Sequence, residues 1–286
     1  MSNLILSLES DLSTKALENY IERIALEGNI FANVVTLFRE TLPEFVSDIK
    51  TKLISFKALV KDKDSKTTIE LKKKLTLAES KLDSLDFLLF GDRIVSVPED
   101  FKGHLPSYLN TLNNTYKDLS NIEMDVVNKY CLILSKFATN KEAKYALEDH
   151  TAFFEKIKKN RELIIKDLKL YFPKDTGKSK KRMKDVMSRW SDLKPMVNSA
   201  ITLNTLIERT DLHSITGSVQ KAVDSLDIIL NQLKNDVEKV SPEAASNLAK
   251  GAFETAKQLE LFSIIIFDSK VAVNCVDRIL DNIISP

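Results

Sequence analysis

The stretch Ser241–Ile284, SPEAASNLAKGAFETAKQLELFSIIIFDSKVAVNCVDRILDNII, decides the fold. Ser241, Pro242 and Glu243 read as an N-cap, a proline at the first helical position and an acid in the first turn, where the helix dipole favours negative charge. Behind them Ala245, Ala249, Ala252 and Ala256 form a stripe of small side chains along which a second helix can approach closely. From Leu261 to Phe267 only Ser263 interrupts the apolar run, so this turn belongs inside a core. Charge returns on one flank at Lys270, Asp277 and Asp281, while Val271, Cys275, Ile279 and Ile283 continue the buried side. At 1.5 Å per residue such a helix would be roughly 65 Å long, which predicts that it protrudes, curves or breaks, with Gly251 the natural break point.

Working outward, the same three-to-four periodicity appears almost everywhere. Leu17, Ile21, Ile24, Ile30, Val34, Leu37 and Phe38 predict a first helix, which Pro43 should kink or restart before Phe45, Ile49, Leu53 and Phe56 continue it. Ser65 can cap a further helix that ends at Gly91. Residues 93–98, Arg-Ile-Val-Ser-Val-Pro, are different: β-branched residues ahead of a proline predict an extended segment. Two long helices follow, over about 106–138 and 141–171, each on the order of 50 Å. The turn at 172–177 comes next, then short helical patterns at 182–191 and 195–209, a loop at 211–217, and a helix over 218–240. A compact 286-residue sphere would be only roughly 50 Å across. The expectation is therefore an all-α, elongated bundle of about seven to nine helices. Its regions are an N-terminal helical part (1–92), an extended joint (93–105) and a main bundle (106–286), with the first and last able to form one domain.

Composition bounds the function. Six glycines and seven prolines among 286 residues are too few for turn-rich β architectures, and the net charge of +1 provides no whole-molecule attraction to nucleic acid or acidic lipid. Cys131 and Cys275 have no zinc or disulfide spacing, so a reducing compartment is the simplest reading. Residues 1–10 lack a secretory signal pattern, and no stretch reaches about 18 uninterrupted apolar residues. The expected location is a virion or the host cytoplasm, with neither secretion nor membrane insertion.

No motif carries catalysis. Asp175-Thr176-Gly177-Lys178-Ser179 invites comparison with a phosphate-binding loop, but Phe172 stands where the first glycine is required. His104, His150 and His213 have no second ligand at metal spacing, and both cysteines lie on apolar helix faces. Pairs such as Asp83 with Asp86 or Glu155 with Glu162 are what chance gives among 41 acids. These observations predict no enzyme, no cofactor, no metal and no small-molecule substrate. Lys178, Lys180, Lys181, Arg182 and Lys184 form the densest positive cluster, beside Trp190. The cluster reads as a solvated basic turn that can contact DNA phosphates or a partner.

Ser7-Leu8-Glu9-Ser10 and Ala25-Leu26-Glu27-Gly28 resemble the small-residue, any-residue, glutamate sites cut by prohead proteases of large tailed bacteriophages. With a Leu-, Ser- and Glu-rich opening that runs into Lys-, Asn- and Ile-rich helices, the chain resembles internal head and other helical virion proteins of such phages. The resemblance implies a non-enzymatic structural protein of the virion or head, processed after Glu9 or Glu27 with residues 1–27 as leader. It would bind other virion subunits or itself, and touch DNA non-specifically through the 178–184 cluster. The alternative is a cytoplasmic all-helical adaptor or inhibitor that binds a single host or phage protein.

Overall fold

The computed structural model describes residues 34–61, 68–98, 101–139, 151–171, 178–210, 212–233, 236–237, 240 and 241–285. The sites at Glu9 and Glu27, the positions Leu17 to Ile30 of the first predicted helix, and His150 lie outside them. Nine α-helices are present among the described residues: α1 (Leu42–Lys61), α2 (Thr68–Leu82), α3 (Phe87–Phe90), α4 (Leu105–Thr139), α5 (Thr151–Lys169), α6 (Met183–Val186), α7 (Leu193–Arg209), α8 (Leu212–Leu233) and α9 (Pro242–Ile284). Two strands, β1 (Ile94–Pro98) and β2 (Lys178–Arg182), form an antiparallel ribbon. The fold is an all-α bundle, as the periodicity predicts.

Helix α9 is the axis of this bundle. Ser241 caps it by accepting a hydrogen bond from the Ala244 N–H at 3.2 Å, and Pro242 occupies the first turn. Helices α1, α2, α4, α5 and α7 all pack on it. Phe45 and Phe56 of α1 meet Phe253 and Phe262, so α1 runs parallel to α9. Tyr130 and Tyr116 of α4 lie against Gly251 and Phe262 respectively, so α4 runs antiparallel. Leu261, Phe262, Ile265 and Ile266 are fully buried there, while Ser263, Ile264 and Phe267 of the same run are partly exposed. One continuous core extends from Val34 to Ile283 and joins the 34–90 helices to the rest.

Three expectations are corrected. The terminal helix does not break at Gly251, because the glycine has a packing role: a Cβ at this position would overlap the Tyr130 ring. Nor does Pro43 restart its helix. Residues Leu37–Thr41 widen into a π-turn in which the Leu42 N–H reaches back five residues to the Leu37 carbonyl, and the α-helix continues through the proline. The loop expected at 211–217 is helical from Leu212, since Leu212, Ile215, Val219 and Ala222 bury one face and Gly217 meets nothing within 4 Å.

Candidate interaction site at the ribbon corner

The basic cluster is not a turn. Lys178 to Arg182 is strand β2, paired with β1 in the register Ile94 to Arg182, Val95 to Lys181, Ser96 to Lys180, Val97 to Ser179 and Pro98 to Lys178. The sequence KSKKR has little strand propensity of its own, and the β-branched residues of β1 supply the template. Helix does not begin until Met183, so the pattern expected over 182–191 reduces to the single turn α6 and a 3-10 turn at Trp190–Asp192. Strand alternation then sorts the side chains. Val95 and Val97 are buried, and Lys181 on the same face is half-buried, its Nζ donating to the Phe101 carbonyl and lying 6.0 Å from the Phe101 ring. On the opposite face Ile94, Lys180 and Arg182 are exposed.

The remaining cations are held close to the ribbon. Arg182 Nε donates to Asp185 at 3.3 Å, and Lys184 Nζ meets Asp92 at 2.6 Å. The hydrogen bond and charge of Lys184 hold the Asp92 carboxyl below its usual value. Lys180 has no ion-pair partner among the described residues, and of Lys178 the structure describes only the backbone.

Beside the ribbon, Asp86 caps the one-turn helix α3 by accepting from the Leu88 N–H at 2.8 Å. Gly91 closes this turn, where a Cβ would stand 2.8 Å from the Phe87 carbonyl oxygen and 3.2 Å from Lys184 Cβ. The Met183 and Lys184 amides donate to the Arg93 and Gly91 carbonyls at 2.8 and 2.9 Å, fastening α3 to the ribbon. Trp190 fills the inside, 5.1 Å from Phe87 and 5.0 Å from Phe90, with its indole N–H donating to the Leu85 carbonyl at 3.0 Å. On the outside Leu88 and Leu89 are 79% and 78% exposed, and Ile94 is 54% exposed. The helix that the sequence predicts to run on to Gly91, with Leu89 among its apolar positions, stops instead at Leu82, and Leu88 and Leu89 are left in solvent on the separate turn α3. The Asp86 cap followed by four apolar residues and a glycine was the available signal.

The other candidates are dispersed. His104 Nδ1 lies 3.3 Å from Ser188 Oγ, and His213 is exposed on α8. Burial raises the Cys131 thiol above its ordinary value, the wrong direction for a nucleophile, and Cys275 is buried. Of the phosphate-loop stretch, residues 172–177 lie outside the described region, and Lys178-Ser179 open a strand where such a loop requires a helix. Among the described residues no group of three or more His, Cys, Asp or Glu is arranged to hold a metal ion, and no helix is long and apolar enough to cross a membrane. An apolar recess of about 10 Å³ beside Cys275 is no larger than one water. An open polar groove of about 410 Å³ runs between α4 and α7, lined by Asn110, Asn113, Asn114, Lys117, Asn198 and Thr202.

The fold and site define a helical bundle with a two-stranded clasp, and on the turn before that clasp stand Leu88 and Leu89, the most exposed large apolar side chains among the described residues. Comparison of the chain with protein-family models, curated proteins and solved structures finds no match in any of the three.

Proposed function

We propose that this chain is a non-enzymatic structural protein of a tailed bacteriophage, associated with the virion or its head and working through contacts with other protein subunits. The observation that carries the reading is the way α9 is used: five helices surround a roughly 65 Å axis in a single core, a construction suited to presenting fixed surfaces at its ends. The Ser7–Ser10 and Ala25–Gly28 motifs support a place in a particle assembled with proteolysis. Mass spectrometry of purified particles tests it. Tryptic peptides of this chain, including new N-termini at Ser10 or Gly28, are expected. Their absence from the particle, with the intact chain recovered from the soluble fraction, would leave the adaptor or inhibitor reading in its place.

Non-specific DNA contact belongs to the same proposal, with the outer face of the ribbon as the contact surface. Lys181 is committed to Phe101, so the informative variant is Lys180→Glu with Arg182→Glu. Weaker retention on any duplex at low salt is expected from the loss of two cations. Retention equal to that of the parent would remove DNA from the partners.

A further inference from the structure

We propose that the polar groove between α4 and α7 binds an extended segment of a partner protein by its backbone. The groove, about 410 Å³, is walled by Asn110, Asn114 and Lys117 of α4 and by Asn198 and Thr202 of α7, with Asn113 at its floor. The five wall residues are exposed, whereas Asn113 is only 7% exposed. Its Nδ2 donates to the Ser199 carbonyl at 3.0 Å, which fixes the orientation of the carboxamide, because a carbonyl can only accept. The Asn113 Oδ1 is buried with no donor among the described residues. A carboxamide oxygen held out of water without a donor is a cost to the folded chain. This one is shielded from bulk water, so satisfying it takes a donor pressed into the groove.

The rest of the lining selects the ligand. Ser199 Oγ donates to Asn110 Oδ1 at 2.8 Å and Thr202 Oγ1 to the Asn198 carbonyl at 2.9 Å, so Asn110 keeps its two N–H groups and Thr202 an acceptor lone pair. The carboxamides of Asn114 and Asn198 have no partner among the described residues and keep both functions. Donors and acceptors are thus closely balanced, which matches a peptide backbone with one N–H and one C=O per residue. A phosphate only accepts, and would set its charge against the carboxamide oxygens. Among the described residues no aromatic ring lines the groove for a base to stack on. Spacing favours the same ligand. Asn110 to Asn114 and Asn198 to Thr202 are each about one helical turn, a rise of about 6 Å, and an extended chain presents the same edge every two residues, about 6.7 Å. Lys117 adds one cation with no ion-pair partner among the described residues, and sets an acidic residue of the partner at its end of the groove.

This inference rests on the protein-contact role proposed above, and its test needs no particle, so either can fail while the other stands. The full chain is titrated with a fluorescent peptide of alternating threonine and valine that ends in glutamate, and with its twin methylated on the backbone nitrogens. The unmodified peptide is expected to bind about ten-fold tighter than the twin, whose side chains are the same. Asn114→Ala with Asn198→Ala is expected to weaken it by about ten-fold with the helical circular dichroism unchanged, since both residues are exposed. Asn113→Leu, which removes the shielded oxygen, is expected to weaken it by a similar factor. Lys117→Ala should erase the preference for the peptide that ends in glutamate over one that ends in glutamine. No binding at millimolar peptide, equal binding of the methylated twin, or binding indifferent to the Asn114 and Asn198 pair would overturn the proposal. Binding of maltose in place of the peptide, lost in the same asparagine pair variant, would transfer the groove to a carbohydrate.

Discussion

The two ends of α9 are anchored by ion pairs of opposite kinds. Toward its start, Arg161 of α5 grips Glu254 through both guanidinium nitrogens, the longer contact being 3.3 Å, and the two side chains are only 7% and 5% exposed. The guanidinium also stands 5.8 Å from the Phe253 ring. Toward its end, Lys74 of α2 reaches Asp277 and Asp281 at 2.6 Å each, with the Asp281 side chain 55% exposed. A buried pair gives up two hydration shells, and its mutual attraction does little more than offset that loss. The second cluster is mixed: Asp277 is as buried as Glu254, but Lys74 is partly exposed and Asp281 keeps much of its hydration, so less is given up. The first therefore acts mainly as a constraint on which way α5 may dock, and the second as a modest net stabiliser.

Breaking the buried pair should give the largest effect. Arg161→Met strands the Glu254 carboxylate in the core and is expected to cost about 3–5 kcal/mol in urea unfolding. Adding Glu254→Leu should return stability to within about 1 kcal/mol of the parent or above it. A double variant as weak as the single would show that the guanidinium acts by packing on Phe253 instead. Lys74→Met comes next, at about 1–3 kcal/mol, because Asp277 is buried and loses a charged donor.

Titration sharpens the contrast, because the two anchors respond to pH in different windows. Burial raises the Glu254 carboxyl above its ordinary value despite the opposing charge and hydrogen bonds of Arg161. The folded state then binds a proton more readily than the unfolded one, so the group's penalty is full above its folded pKa and fades as pH falls through it. Relative to Glu254→Gln, the parent should gain stability on acidification from neutrality, as followed by thermal melts at stepped pH. For Lys74, burial pulls the ammonium down, but the hydrogen bonds and charges of Asp277 and Asp281 outweigh it and raise the pKa. Its contribution is complete below the ordinary lysine value and disappears as pH rises through the raised one, so the parent's advantage over Lys74→Met should shrink only in strong alkali. The smallest change is Asp281→Asn, within about 0.5 kcal/mol, since that carboxylate stays largely hydrated.

Local signals were legible in the sequence and distant pairings were not. Ser241-Pro242 announced a helix start because capping chemistry is contained within four residues, and residues 93–98 announced a strand because β-branching and the pre-proline restriction are local. KSKKR could not announce one, since its conformation is imposed by a partner eighty or more residues away in the chain. The Arg161–Glu254 and Lys74–Asp277 pairs span 93 and 203 residues and leave no periodic trace. Gly251 was visible as an irregularity, but only the ring of Tyr130 reveals whether a glycine weakens a helix or admits a neighbour. At the candidate site, the basic residues were found by density alone. Their division between an inner lysine and an outer face required the register of the ribbon.

The position of α9 in the chain has a consequence for how the molecule is made. Synthesis runs from the N-terminus, and every helix that leans on this axis is translated before it. Before residues 242–284 clear the ribosome, α4 can already pack on α7 and α8, and α8 on α1, but the faces that α1, α2, α4, α5 and α7 turn toward α9 stay uncovered. The last helix made is thus the one that seals the faces left open by all the helices before it.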